Sequence, residues 1–192
     1  SALVMSNIEW FKYCWVWEKD KATGHLNANI QPMLNYEDIA VFGNGSIRYF
    51  PQIDKKPVAN IRPVSRRAPT DSYGKYNESA DRLIPLGMSF PKRILNFYTT
   101  NHGERGYHPT QKPVALLAYL IRTYTNEGET ILDNTMGSGS TIVAAIQEGR
   151  NAIGIERDAD YFAIAQQRCL EATYQPSLFT PQPTQWEPVA MF

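Results

Sequence analysis

Apolar and polar positions divide the chain into three stretches of different character. At the start, residues 2–10 read as the end of a helix. Residues 12–19 (KYCWVWEK) are aromatic and β-branched, the composition of a strand. Residues 20–35 read as a polar loop holding Gly24, Asn27, Asn29 and Pro32. Residues 37–42 (EDIAVF) form a second strand, closed by Gly43-Asn44-Gly45. From 46 to 107 the pattern weakens. Prolines at 51, 57, 63, 69, 85 and 91 punctuate it, as in a loop-rich insertion with short helical or strand pieces. Regular periodicity then returns. Pro113 suits the first turn of a helix, and residues 114–124 (VALLAYLIRTY) repeat apolar positions at helical spacing until Asn126 and Gly128.

The next fifty residues are the most ordered part of the pattern. Residues 130–133 (TILD) are a short buried strand. Gly137 and Gly139 interrupt, residues 141–148 (TIVAAIQE) are a helix ended by Gly149, and residues 151–156 (NAIGIE) are another buried strand. Asp158 can cap a helix over 159–172. Strand, glycine turn, helix, strand, acid, helix is a βαβ unit, which predicts a parallel sheet with crossover helices. Residues 173–192 contain four prolines and little periodicity, and read as a tail.

Charge changes this picture more than composition does. The net charge is zero, but residues 48–112 carry 12 basic and 5 acidic groups. The stretches on either side are net acidic. A basic middle between acidic ends is what one polyanion-binding face would show, and also what an unevenly charged solvated surface would show. Hydrophobic content of 43% suits a globular core. No apolar run is long enough to span a membrane. The start, SALVMSNIEWFKY, has no basic region and no clear cleavage site, so no secretory signal is expected and the compartment predicted is cytoplasmic. The first residue is Ser1, so the numbering is read as starting inside a longer gene product or after a trimmed tag. Cys14 and Cys169 fit reduced core residues. His25, His102 and His108 show no ligand-like spacing with them, so no metal site is expected.

The segment Ile131-Leu132-Asp133-Asn134-Thr135-Met136-Gly137-Ser138-Gly139-Ser140-Thr141 carries the candidate chemistry. A buried strand delivers Asp133 to its carboxyl end. Two glycines let the backbone turn sharply and approach a ligand closely. The following helix points free N–H groups at the same crevice, where open α/β sheets bind ligands. Glu156 ends the next strand, twenty-three positions on, where an acid can accept from both ribose hydroxyls of a nucleoside. An ordinary βα turn with a surface acid would read the same at any one of these positions; the whole order favours a nucleoside cofactor. The phosphate-loop variant fails for want of Gly-Lys-Ser/Thr. The dinucleotide variant fails because Ile142 stands where a third glycine would.

This segment closely resembles the cofactor-binding motif of DNA amino-methyltransferases, written DPFxGSGTT. Upstream, His108-Pro109-Thr110-Gln111-Lys112-Pro113 is identical to the HPTQKP motif that precedes it in the class whose cofactor region lies at the C-terminal end. Residues 149–168 resemble the continuation, and residues 12–42 the segment that follows the catalytic region. The resemblance implies an α/β, Rossmann-like class I S-adenosylmethionine-dependent methyltransferase fold, incomplete at its N-terminus. Residues 1–45 and 108–172 would be the methyltransferase domain and 46–107 an inserted target-recognition region. It further implies that Asp133 and the loop residues Thr135, Gly137, Ser138, Gly139 and Ser140 contact the amino acid part of S-adenosylmethionine. Glu156 would hold the ribose, and His108, Thr110, Gln111 and Lys112 would line the pocket from the other side. The partner implied is double-stranded DNA. Arg48, Lys55, Lys56, Arg62, Arg66, Arg67, Lys92 and Arg93 are its candidate contacts, each by itself more readily read as a solvated surface charge than as a specific contact.

Two departures qualify the resemblance. Asn134-Thr135 stands where the family has Pro-Phe, which leaves Asp133 and the glycines in place. More consequentially, the family's catalytic motif, Asp/Asn/Ser-Pro-Pro-aromatic, is missing: none of the 13 prolines is adjacent to another. The motif would accept the hydrogens of a flipped base's amino group and stack on its ring, so that nitrogen attacks the sulfonium methyl in line. The reading is therefore a site-specific DNA methyltransferase, with N6 of adenine favoured over N4 of cytosine, of the kind found in prokaryotic or phage restriction-modification. No catalytic residue can be named. The competing reading is a non-catalytic or split-enzyme fragment that binds cofactor or DNA only, with a homodimer or a second chain completing the sheet.

Overall fold

The computed structural model describes residues 1–55, 87–99 and 106–174. They fall into two compact units. The first holds residues up to Thr99 together with Arg122–Thr125, and the second holds the rest.

The first unit is organised by a three-stranded sheet with its longest strand in the middle. After a five-residue helix α1 (Ala2–Ser6), strand β1 (Phe11–Thr23) runs antiparallel to β2 (Leu34–Phe42) and parallel to β5 (Ile94–Asn96). A two-stranded antiparallel piece pairs β3 (Asp54–Lys55) with β4 (Met88–Ser89). Alternate residues of a strand share a face, and here Trp15 and Trp17 are the two buried members of β1. Each indole N–H finds an acceptor, as a buried polar group must. Trp17 Nε1 donates to the Phe97 carbonyl at 2.9 Å and Trp15 Nε1 to the Tyr124 hydroxyl at 2.6 Å. The Tyr13 and Tyr124 hydroxyls share a hydrogen bond of 2.9 Å, and Tyr49 packs against both Trp15 and Tyr124. Burial pushes the Tyr124 phenol far above its ordinary pKa.

Three expectations change here. Residues 2–10 do not continue as a helix. Asn7 ends it, its side-chain oxygen accepting from Trp10 N at 3.3 Å, a local alternative to the helical bond. Residues 20–35 are not all loop. β1 extends to Thr23, which pairs with Leu34 across a register irregularity, with a 3₁₀ turn (His25–Asn27) beyond Gly24. Most residues in this extension are exposed, so the sequence carries no in-out alternation to reveal the strands. Ile94–Asn96, inside the stretch read as an insertion, is a strand of the main sheet. Of the basic candidates, Arg48, Lys55, Lys92 and Arg93 are exposed. Arg93 also places its guanidinium 5.6 Å from the centre of the Tyr13 ring. Lys56, Arg62, Arg66 and Arg67 lie outside the described residues, as does the tail beyond Tyr174.

The second unit is the βαβ unit, and its boundaries follow the sequence pattern closely. Helix α2 (Val114–Tyr124) begins directly after Pro113, as predicted, and the Pro113 carbonyl accepts from Leu117 N. Strands β6 (Thr130–Asp133) and β7 (Asn151–Gly154) pair in parallel, joined by helix α3 (Ser140–Gln147). Helix α4 (Ala159–Tyr174) follows, capped as predicted by Asp158, whose carboxylate accepts from Asp160 N and Tyr161 N. The core is Val114, Ala118 and Ile121 of α2, Ile142–Ala145 of α3 and Cys169 of α4. Burial pushes the Cys169 thiol up to about 11. Leu132 and Ile153, with Ile155 beyond β7, remain 53–63% exposed. Among the described residues no helix is long and apolar enough to cross a membrane.

Replacing Tyr124 by Phe removes the oxygen shared by Trp15 and Tyr13 while keeping the ring. A buried donor deprived of its partner costs roughly 1–3 kcal/mol. Urea denaturation of Tyr124→Phe should show a loss of that size, and an unchanged midpoint would mean the hydroxyl contributes nothing.

Candidate functional site

The end of β6 and the start of α3 build a cleft, and each local choice has a steric reason. Asp133 closes β6, and its Oδ1 accepts from Thr135 N at 3.0 Å, turning the chain away from the strand. Gly137 and Gly139 both have positive φ, 52° and 77°. At Gly137 a Cβ would lie 3.4 Å from the His108 ring; at Gly139 it would lie 2.8 Å from the Ala165 Cβ. At Gly139 the backbone thus approaches α4 more closely than a side chain allows, while at Gly137 it is the positive φ that calls for glycine. Gly139 is also the residue from which α3 starts, so the free N–H groups of the first turn open beside the loop.

Across the cleft stands the 107–112 segment. His108 turns back on itself, with Thr110 N donating to its Nδ1 at 3.2 Å and Gln111 N to its carbonyl at 3.1 Å. Its ring meets Tyr161 of α4 edge to face, 4.3 Å between centres. Gln111 Oε1 accepts from Tyr107 N at 3.0 Å and from the Ser138 hydroxyl at 3.2 Å, which ties the two walls together. The cleft between them measures about 280 Å³, just under the range usual for small-molecule pockets. Its lining is mixed: apolar Leu117 and Met136 beside the carboxylate of Asp133, the ammonium of Lys112 and several hydroxyl and amide groups.

Most of the predicted site comes together here. His108, Thr110, Gln111, Lys112, Asp133, Thr135, Gly137, Ser138 and Ser140 all line the cleft. Gly139 and Glu156 are not among its lining residues. Gly139 faces Ala165, and Glu156 turns toward the loop itself. Its Oε2 accepts from Gly137 N at 2.9 Å and its Oε1 from Asp158 N at 2.9 Å. Backbone N–H donation, from Asp158 first, holds its carboxyl below the usual carboxylate range. In this geometry Glu156 fastens the glycine turn to the end of β7.

Sequence reasoning missed Arg168, which lies 91% buried under the loop, and Tyr107, whose ring it faces. A signal was present. Arg168 sits among Ala165, Cys169 and Ala172 on the apolar stripe of α4, and a charge there needs hydrogen-bond acceptors close by. Among the described residues no group of three or more His, Cys, Asp and Glu side chains could hold a metal ion.

Comparison with known proteins gives a consistent answer. The sequence pattern of a DNA methylase family, the N6/N4 methyltransferases, matches residues 2–167. A putative methylase, YubD of Escherichia coli K12, is 50% identical over 99 residues, covering 50% of this chain and 44% of YubD. The type II methyltransferase M.HindIII of Haemophilus influenzae is 40% identical over 183 residues, covering 82% of this chain and 54% of that enzyme. The chain thus spans about half the length of these curated relatives. Among solved structures, a complex of M1.HpyAVI with S-adenosylmethionine aligns with a TM-score of 0.56 at 23% identity, over 88% of this chain and 70% of that one. The cytosine-N4-specific PvuII methyltransferase aligns with a TM-score of 0.60 at 15% identity, over 93% and 56%. These two likenesses concern the fold, which is the Rossmann-like α/β fold of methyltransferases. With the family pattern covering most of the sequence, the chain belongs to the N6/N4 DNA methylase family, whose cofactor is S-adenosylmethionine.

Proposed function

We propose that this chain carries the cofactor-binding part of a site-specific DNA amino-methyltransferase of a restriction-modification system, acting on N6 of adenine, with N4 of cytosine as the competing target. The observation that carries this is the two-walled cleft. One wall is the HPTQKP segment, the other the Asp133–Ser140 turn, and α3 directs its first N–H groups beside it. S-adenosylmethionine fits the chemistry of that lining. Its ammonium suits the Asp133 carboxylate, and its carboxylate suits the Lys112 ammonium and the loop N–H groups. Bound there, it would supply the methyl group. This chain's residues hold and orient it, with Thr110 and Gln111 on the near wall, Thr135 and Ser138 on the far wall, and Glu156 either at the ribose or, as its bonds here favour, bracing the turn.

Residues 1–45 and 108–172, read from the sequence as the methyltransferase domain, would then also take in strand β5 and the end of α4, with the rest of 46–107 the target-recognition region and the residues beyond Tyr174 a tail. Double-stranded DNA is the proposed partner and the cytoplasm the proposed compartment. The exposed positive charges Arg48, Lys55, Lys92 and Arg93 support a phosphate-facing surface on the first unit. The exposed Leu132, Ile153 and Ile155 support a covering element on the second, a second copy or a second chain. The absence of any Pro-Pro-aromatic motif in the 192 residues favours a second reading, binding without methyl transfer by this chain alone.

Calorimetry on the folded chain should show S-adenosylmethionine binding that Asp133→Ala weakens by about tenfold, the loss of one charge-assisted contact. Equal affinity in the variant would remove Asp133 from the site. Incubated with duplex DNA and labelled cofactor, the chain alone should transfer no methyl group; robust transfer would show that the missing motif is not required. Glu156 makes a pH prediction. Its folded pKa is lowered, so the stability that it contributes is present above the ordinary carboxylate pKa. That contribution disappears as pH falls through the lowered value. The Gly137 amide resonance should therefore shift in a step below the ordinary glutamate range, and a step within that range would contradict the bond to Glu156.

A further inference from the structure

Arg168 projects from α4, thirty positions after Ser138, and does not line the cleft. Its Nη1 nonetheless donates to three loop acceptors: the Ser138 carbonyl at 2.5 Å, the Ser138 hydroxyl at 3.1 Å and the Ser140 hydroxyl at 3.1 Å. Its guanidinium carbon lies 5.1 Å from the centre of the Tyr107 ring. Tyr107 N donates to Gln111 Oε1, and Ser138 Oγ donates to the same oxygen. These contacts close a ring, Arg168–Ser138–Gln111–Tyr107–Arg168, that spans both walls of the cleft from below.

We propose that Arg168 is the positioning residue of the cofactor cleft, setting the distance between the HPTQKP wall and the Gly-Ser-Gly-Ser wall. The chemistry needs arginine. A planar guanidinium can face an aromatic ring while its edge donates to several oxygens; a lysine ammonium donates but has no face to stack. A buried charge is retained only when its hydrogen bonds are met, and here the loop's own carbonyl and hydroxyls meet them. The loop is then the arginine's counterpart, and disordering one disorders the other. The Ser138 hydroxyl donates to Gln111 Oε1, an oxygen that can only accept, while its own oxygen accepts from the Arg168 guanidinium, so one hydroxyl links the arginine to the HPTQKP wall. This inference rests on the cleft being the S-adenosylmethionine site, with the loop at the amino acid part of the ligand.

The test compares the full chain with Arg168→Met and Arg168→Lys in two measurements. Hydrogen exchange without ligand should show faster exchange at the 138–140 amides in Arg168→Met, with α2 and β6 unchanged. Calorimetry should show S-adenosylmethionine weakened by about tenfold or more, since small displacements of positioning groups are costly. Adenosine, which lacks the amino acid part, should keep its affinity. Arg168→Lys should recover part of the loss. Equal losses for both ligands would mean a general structural role and would overturn the proposal. So would loosened loop amides with undiminished S-adenosylmethionine binding, or unchanged exchange. If the unsubstituted chain binds no S-adenosylmethionine, the functional reading fails and Arg168 has no role in placing that ligand; the exchange data alone then decide whether it braces the loop.

Discussion

Everything in the second unit depends on how closely the chain at Gly139 approaches α4. With only 2.8 Å between Ala165 and where a Cβ would be, the contact works because one residue has no side chain and the other almost none. Drawing α4 this close places Arg168 beneath the turn and Tyr161 against His108. The same economy recurs at Gly154, where a Cβ would collide with Met136 and crowd Ile142. Small residues at these crossings let α3 fill the space against both strands and leave Met136 to face the cleft. The polar groups of the turn are then satisfied from three directions: Glu156 at Gly137 N, Gln111 at the Ser138 hydroxyl, and Arg168 at the Ser138 carbonyl. A glycine-rich turn is costly in conformational entropy, and these anchors offset that cost by leaving it few alternatives.

The legibility of the sequence follows from periodicity. Helix α2 and strand β6 have the boundaries read from the pattern, and α3 and β7 differ by one or two residues. Their apolar positions recur against a core, and glycine or asparagine stops them. The β1–β2 hairpin was under-read because its outer half is exposed on both faces, so alternation has nothing to report. Short strand pieces were expected in the stretch that holds β5, but three residues carry no period to place it, and its position beside β1 is a long-range pairing that no local window contains.

The site was legible in composition more than in connection. Strand, turn and helix order pointed to Asp133 and the glycine turn, and the family resemblance added the HPTQKP residues; Asp133, Gly137 and His108–Lys112, Pro109 aside, line one cleft. What spacing could not give was the direction of Glu156. A carboxylate at a strand end can reach a ligand or the backbone, and here two N–H groups claim it. Arg168 was hidden for the opposite reason. Its partners are backbone and hydroxyl oxygens rather than an acid, so no charge pair marks it in the sequence.

Cys169 shows what that packing means for handling the protein. Its thiol lies one position from Arg168, buried in the α2–α3–α4 core and held well into the protonated range. Only a thiolate reacts readily with oxidants or maleimides. At neutral pH the Cys169 thiol is therefore unreactive, and the half-buried Cys14 on β1 is the more accessible of the two thiols. A single thiol label would report on the sheet of the first unit and leave the core beneath the glycine turn untouched.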